Sequence, residues 1–361
     1  MCKYETAPAD PAISDKERLR LINEPLLTWY HANARTLPWR ENPKPYRVWI
    51  SEIMLQQTRI EAVKPYFDRF MQALPEVADL AAVEDDRLMK LWEGLGYYNR
   101  ARNLKKAAQQ IVDEYGGEMP PRYQDLVKLP GIGSYTAGAI ASIAFHEAVP
   151  AVDGNVLRVL SRVLVSREDI LKQSTKKRME AMLTETMPKQ DAGSFNQGIM
   201  ELGETICVPN GKPRCEVCPL GKLCLASRQS LTDEIPVKTP PKKRRCEKRT
   251  VCILECQDRI GLHKRENTGL LASLYELPNV IGHLKCEQLA EAFGLNPADI
   301  LVCESLPEAK HIFSHVEWHM TGYRIRMKGE LPKGYIAAGK DELKTIYPLP
   351  NAFGRYTKLI K

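Results

Sequence analysis

Between residues 15 and 226, apolar side chains return every three or four positions and are separated by short glycine- and proline-bearing breaks, the pattern of amphipathic helices around a shared core. The spacing predicts helices over 18–31, 48–70, 86–115, 135–145, 155–165 and 175–187. From residue 250 the period shortens: 251–255 and 260–264 read as paired strands, 287–293 as a helix, and 316–327 as a further strand or hairpin. The stretch between is polar and proline-bearing. The chain is therefore expected to be multidomain, with an N-terminal tail over 1–14, an all-α domain over 15–226, a linker over 227–249 and a smaller α/β domain over 250–361.

Composition narrows the setting. A chain of 361 residues, 43% hydrophobic, is long enough for two domains with cores of their own. The net charge of +7 suits a polyanionic partner without requiring one. No cleavable signal is visible at Met1-Cys2-Lys3-Tyr4, and the longest apolar run, 137–145, falls short of the roughly 18–20 residues that span a bilayer. A soluble, cytoplasmic protein without membrane association is expected, and a monomer. In such a reducing compartment its ten cysteines should serve as ligands or core residues rather than disulfides. The linker's basic run, Pro240-Pro241-Lys242-Lys243-Arg244-Arg245, reads as a solvated connector that touches phosphate, ahead of a localisation signal.

Candidate chemistry concentrates first at Leu129-Pro130-Gly131-Ile132-Gly133-Ser134-Tyr135-Thr136, followed by Val152-Asp153-Gly154-Asn155. A Gly-x-Gly turn opening a helix lets backbone approach a ligand closely and aims successive N–H groups at an anion. Taken alone, such a turn is more often plain punctuation. With its neighbours it resembles the helix-hairpin-helix of the base-excision DNA glycosylases related to endonuclease III, with Asp153 where that superfamily carries its catalytic aspartate. Strand-cutting members place a lysine at the position of Tyr135, where its amine forms a Schiff base with the sugar. Tyrosine cannot do so. The chain thus resembles the monofunctional branch, and the adenine DNA glycosylases of the MutY family in particular.

That resemblance implies roles for further residues. Removing adenine requires a proton for a poor leaving group and a negative charge to meet a cation-like sugar. Glu52, within an apolar helical stretch that should desolvate it and raise its pKa, would protonate adenine, and Asp153 would remain ionised to stabilise the sugar. Tyr135 and Asn155 would position both carboxylates and water. Chemistry on a base also requires eversion of the nucleotide. Gln57 and Tyr97 match the family's inserted side chains, with Thr58 and Leu95 beside them; Tyr98 reads as core. Gln197 and Arg40 are assigned to the adenine pocket, and Gly131 and Gly133 to the DNA backbone.

Cys207, Cys215, Cys218 and Cys224 fall within eighteen positions, with Pro209, Gly211, Pro213 and Pro219 describing a loop wrapped around something. Four thiolates suit zinc or a cubane cluster. Placement at the end of the helical domain resembles the [4Fe-4S] loop of the endonuclease III superfamily, although the Cys207 to Cys215 spacing is one residue longer than usual. Lys212, Arg214 and Lys222 would carry that loop to the DNA backbone.

Residues 268–278 resemble the opening of the Nudix signature in its MutY C-terminal form, but its paired carboxylates are missing after Pro278, so pyrophosphate hydrolysis is not expected. In the family this domain reads 8-oxoguanine opposite the adenine through a Phe-Ser-His turn, present here as Phe313-Ser314-His315. A metal site of His311, His315 and His319 is set aside for want of a nearby carboxylate or thiol cluster. The resemblance thus implies removal of adenine mispaired with 8-oxoguanine or guanine in double-stranded DNA, with replication or repair proteins as possible partners of the linker. The rivals are an endonuclease III-like glycosylase-lyase, opposed by Tyr135, and a non-catalytic iron-sulfur DNA-binding protein, opposed by retention of both carboxylates.

Overall fold

Helix Ser134–Ala144 lies in backbone contact with the segment that returns toward Asp153, because Gly138 has no side chain. A Cβ there would sit 2.2 Å from the Pro150 carbonyl oxygen. Asn196, fully buried on helix Ala192–Thr205, ties the same region together. Its carbonyl accepts from Ala151 N at 3.1 Å, and its amide donates to Ser142 Oγ at 2.8 Å and Val149 O at 2.9 Å. Three buried backbone or hydroxyl groups are thereby satisfied by one side chain.

The computed structural model describes residues 13–240 and 243–360. Most of the expected tail, together with Pro241 and Lys242 of the basic run, lies outside the described residues. The chain divides into one unit of residues 1–81 and 103–240 and another of 82–102 and 241–361.

In the first unit, helix Gly154–Leu164 is buried along nearly its whole length and shares a core with Phe195, Ile199 and Leu202 of helix Ala192–Thr205. Several expected helices are interrupted. The pattern over 18–31 becomes Asp15–Leu21 and Asn23–Asn33, with Pro25 in the first turn of the second helix, where its missing N–H is tolerated. The pattern over 48–70 becomes Pro45–Leu55 and Ile60–Ala73, parted where Gln57 turns to φ 59°. The remaining helices, Ser134–Ala144, Gly154–Leu164 and Gln173–Thr186, begin and end within two residues of expectation.

The second unit is built on a sheet of seven strands: β1 (Arg245–Cys256), β2 (Arg259–Lys264), β3 (Tyr275–Glu276), β4 (Asn279–Ile281), β5 (Ile300–Ile312), β6 (Val316–Met327) and β7 (Ile336–Gly339). The main order is β3-β2-β1-β6-β5, with β4 on β1 and β7 on β2; β1 and β6 run parallel and every other pair antiparallel. Strand alternation sends Val251, Ile253, Trp318 and Met320 to one core. Cys252, Leu254, Ile325 and Met327 meet Leu289 and Phe293 in another. Helix Cys286–Ala292 covers nearly the expected 287–293. Strand β5 is largely exposed, and its register shifts between Leu306 and Ala309, around Pro307, which hid its period.

Residues 82–102 join this unit through polar contacts. Asp86 meets Lys264 at 3.1 Å and Tyr275 at 2.8 Å, Lys90 donates to the Leu343 and Tyr347 carbonyls, and Glu93 accepts from Leu349 N at 2.9 Å. Here the expected long helix over 86–115 parts into Asp85–Leu91 and Asn99–Tyr115, because Gly94, Gly96 and Tyr97 all take positive φ. The expectation of wholly reduced cysteines is corrected: Cys286 and Cys303, brought together by the packing of helix Cys286–Ala292 against β5, form a disulfide. No described helix is long and apolar enough to cross a membrane.

Candidate active site

Pro45 starts the helix that ends at Leu55, and the apolar residues around Glu52, including Trp49, Ile50 and Ile53, are buried. Glu52 is carried inward with them and retains 7% of its accessible surface. Desolvation raises its pKa from 4.5 to about 7, aided by the negative charges of Asp153 and Glu204 and opposed by a hydrogen bond from Tyr135 and the charge of Arg40. The Tyr135 hydroxyl donates to Glu52 Oε2 at 2.5 Å and lies 3.3 Å from Met200 Sδ.

Asp153 is the N-cap of helix Gly154–Leu164: its Oδ1 accepts from Val156 N at 2.8 Å. Its Oδ2 accepts from Asn155 Nδ2, also at 2.8 Å. Burial pushes this carboxyl above its usual pKa, while those hydrogen bonds and the Arg158 charge pull it down. One cap and one amide thus leave the carboxylate oriented, with its charge only partly compensated.

Glu52, Tyr135, Asp153 and Asn155 line one cavity of about 610 Å³, together with Arg40, Gln57, Gly133 and Gln197. That volume suits a single base and part of its sugar. Gly131 is not part of that lining; it takes φ 76°, and a Cβ there would approach Asn103 Cβ to 2.7 Å. Gly133 is the N-cap of helix Ser134–Ala144, and a Cβ there would meet nothing within 4 Å. Gln57 is exposed; Thr58, half-buried, donates its hydroxyl toward Gln56 O at 3.4 Å.

Sequence reasoning missed an ionic frame in the same cavity. Glu201, one turn beyond Gln197, is buried between Arg35 and Arg40, with Arg40 Nη2 at 2.8 Å, and Arg35 also meets Glu204 at 2.6 Å. Burial opposes ionisation of Glu201, yet the two guanidiniums hold its pKa below the usual value. The i, i+4 relation of Gln197 and Glu201 on a single helix face was the available signal.

Cys207, Cys215, Cys218 and Cys224 line a second, separate cavity of the first unit, and none is in a disulfide. Among the described residues, no three of these sulfurs lie within 4.8 Å of one another. A lone zinc, with bonds of about 2.3 Å, draws its thiolates closer than that. Arg162 Nη1 donates to Cys207 Sγ at 3.1 Å, and Arg158 joins Cys207 O and Asn155 Oδ1, each at 2.8 Å.

In the second unit, Tyr97 is exposed and takes φ 48°, with Arg100 5.8 Å from its ring centroid. Leu95 and Tyr98 are buried; Leu95 offers its carbonyl, which accepts from Arg100 at 3.0 Å. Phe313, Ser314 and His315 form the turn between β5 and β6. The Phe313 ring packs against His311 at 4.5 Å and Trp318 at 4.9 Å, leaving Ser314 and His315 exposed at the tip.

Known proteins resemble this chain in sequence and fold. Residues 50–189 match the model of the HhH-GPD superfamily of base excision DNA repair proteins, and residues 250–359 match a NUDIX domain. The adenine DNA glycosylase of Homo sapiens is 33% identical, over 87% of this chain and 68% of its own length. That of Buchnera aphidicola from Acyrthosiphon pisum is 34% identical, over 85% and 87%. Against the Arabidopsis thaliana enzyme, at 36% identity, the chain spans about half the relative's length, 55%. Among solved structures, a thermostable thymine-DNA glycosylase aligns with a TM-score of 0.53 and 29% identity, over 59% of this chain and 98% of that one. A trapped endonuclease III–DNA covalent intermediate gives 0.52 and 27%, over 60% and 98%. With likeness running through both the glycosylase and the NUDIX portions, the chain belongs to the adenine DNA glycosylase family.

Proposed function

We propose that this DNA glycosylase hydrolyses the N-glycosyl bond of adenine mispaired with 8-oxoguanine or guanine, and releases the base without cutting the strand. The single observation that carries the reading is the meeting of Glu52 and Asp153 in one cavity, where burial raises both carboxyls but only Asp153 is held by a backbone N–H, an amide and the Arg158 charge that favour its ionised form. Glu52 is desolvated and keeps its proton to about pH 7, so it acts as the general acid toward the adenine ring. Asp153, oriented by Val156 N and Asn155, supplies negative charge to the sugar as the bond to adenine breaks. Water then adds to the sugar carbon, and its proton leaves through the polar wall formed by Asn155 and the carboxylates. Tyr135 holds the Glu52 carboxyl in register and has no amine with which to form a Schiff base, which supports base release alone over a lyase.

The Gly133 N-cap and the first backbone N–H groups of helix Ser134–Ala144, which no side chain caps, suit a DNA phosphate. Gln57 and Tyr97, exposed on left-handed backbone, suit insertion into the stack beside an everted nucleotide. Gln197 and Arg40 contact adenine or hold its pocket, and Ser314 and His315 read the opposing base. The four cysteines suit a [4Fe-4S] cluster held by Cys207, Cys215, Cys218 and Cys224, which shapes the loop bearing Lys212, Arg214 and Lys222. Repair or replication proteins meeting the linker remain part of this reading. Duplexes with adenine opposite 8-oxoguanine, guanine or thymine test it: alkali-dependent breaks should appear with the first two and not the third. Equal breakage of all three, or breakage without alkali, would contradict it.

A further inference from the structure

The full-length parallel pairing of β1 with β6 sets Cys246 opposite Glu317 and Lys248 opposite His319. Directly paired residues point to the same face of a sheet, as do residues two apart on one strand, so Cys246, Glu317 and His319 share a face. It is the face that further along buries Cys252, Leu254 and Ile325. Toward the Phe313-Ser314-His315 turn that apolar core gives way to a thiol, a carboxylate and an imidazole whose ligand atoms all lie within 4.8 Å of one another. Among the described residues no other three such side chains converge in this way.

We infer that Cys246, Glu317 and His319 form a divalent-metal site, with zinc the ion their chemistry suits. Thiolate, imidazole and carboxylate are the three zinc donor types, and three protein ligands leave one position for water. Donors must reach about 2.0–2.3 Å from a common centre, a contraction that side-chain rotation supplies while the paired backbone stays in place. His319 Nε2 already lies 2.6 Å from Glu317 Oε1. Lys310, across from His319 on β5, places its ammonium 2.5 Å from the same oxygen and is half-exposed. That ammonium competes for the carboxylate and is the group a divalent ion would displace. The register also removes the three-histidine alternative: His311 pairs with Trp318 and faces the opposite side of the sheet from His319.

The site would brace the turn. Arg245 N donates to His315 O at 3.1 Å and Arg244 Nε to Phe313 O at 3.1 Å, so the first residue of β1 and the one before it already hold the turn by hydrogen bonds. A metal at the next residue would fasten the same two strands through side chains, independently of what Ser314 and His315 recognise.

Zinc and iron are to be measured on the full chain after equilibration with zinc and removal of free metal, for wild type, Cys246→Ser, His319→Ala and Lys310→Met. Iron reports on the four clustered cysteines and separates their occupancy from this site. Wild type should retain about one zinc per chain more than Cys246→Ser and His319→Ala at equal iron. Lys310→Met should bind zinc several-fold more tightly than wild type in competition with a zinc indicator. Cobalt(II) should give a thiolate charge-transfer band that Cys246→Ser abolishes. Equal zinc in wild type and both ligand variants, or a cobalt-thiolate band that survives Cys246→Ser, would overturn the site.

Discussion

The Tyr135 hydroxyl donates a 2.5 Å hydrogen bond to Glu52 Oε2, joining residues 83 positions apart. The tyrosine is the second residue of helix Ser134–Ala144, after the Gly-x-Gly turn, whereas the glutamate lies near the end of helix Pro45–Leu55. Their contact ties the hairpin that suits a phosphate to the acid that suits a base.

Glu52 sets the expected pH response. Its carboxyl titrates at about 7 in the folded protein against 4.5 for the free group, chiefly through burial. Single-turnover adenine release should therefore fall about tenfold per pH unit above that value as the acid is lost. Tyr135→Phe removes a hydrogen bond that lowers the pKa, so the fall should move to higher pH. The same shift makes a stability contribution that is full below 4.5 and lost as pH rises through about 7. A rate profile flat across neutrality in both proteins would contradict the assignment.

Asn196→Ala should destabilise the first unit by about 2–4 kcal/mol, because Ala151 N, Val149 O and Ser142 Oγ lose a buried partner together. Denaturant unfolding measures it. A midpoint equal to wild type would show that water or rearrangement replaces the amide.

Much of this site was legible because its parts are local. The Gly131-x-Gly133 turn and the Asp153 cap are each encoded within a few residues, so both were visible without the fold. Of the Arg35–Glu201–Arg40 frame only the helix face shared by Gln197 and Glu201 was local; the ion pairs themselves join residues more than 160 positions apart, which carry no shared pattern. Strand β5 escaped because Pro307 and its exposed polar residues disguise its alternation, and the parallel partnership of β1 and β6 is a long-range choice. The affiliation of residues 82–102 was hidden for a similar reason: Asp86, Lys90 and Glu93 read as an ordinary solvated helix face until their partners near 264–349 are placed.

Ser314→Ala combined with His315→Ala should narrow the preference for 8-oxoguanine over guanine opposite adenine, while leaving adenine release from the better duplex measurable. The exposed tip holds both side chains away from the cores, so folding should be unaffected. An unchanged ratio of rates for the two duplexes would remove the turn from recognition.

Purified protein should be brown and contain about four irons per chain. Cys218→Ser should lose that iron, since Cys218 lines the cavity shared by Cys207, Cys215 and Cys224. Colourless wild-type protein with zinc in place of iron at this site would overturn the cluster.

The most direct test of the central claim is the single-turnover rate of adenine release by Asp153→Asn, measured beside its affinity for the same mispaired duplex. Removal of the charge that Val156 N and Asn155 orient should slow release by roughly a thousandfold or more while binding stays within a few-fold of wild type. An Asp153→Asn protein that releases adenine at the wild-type rate would contradict the account.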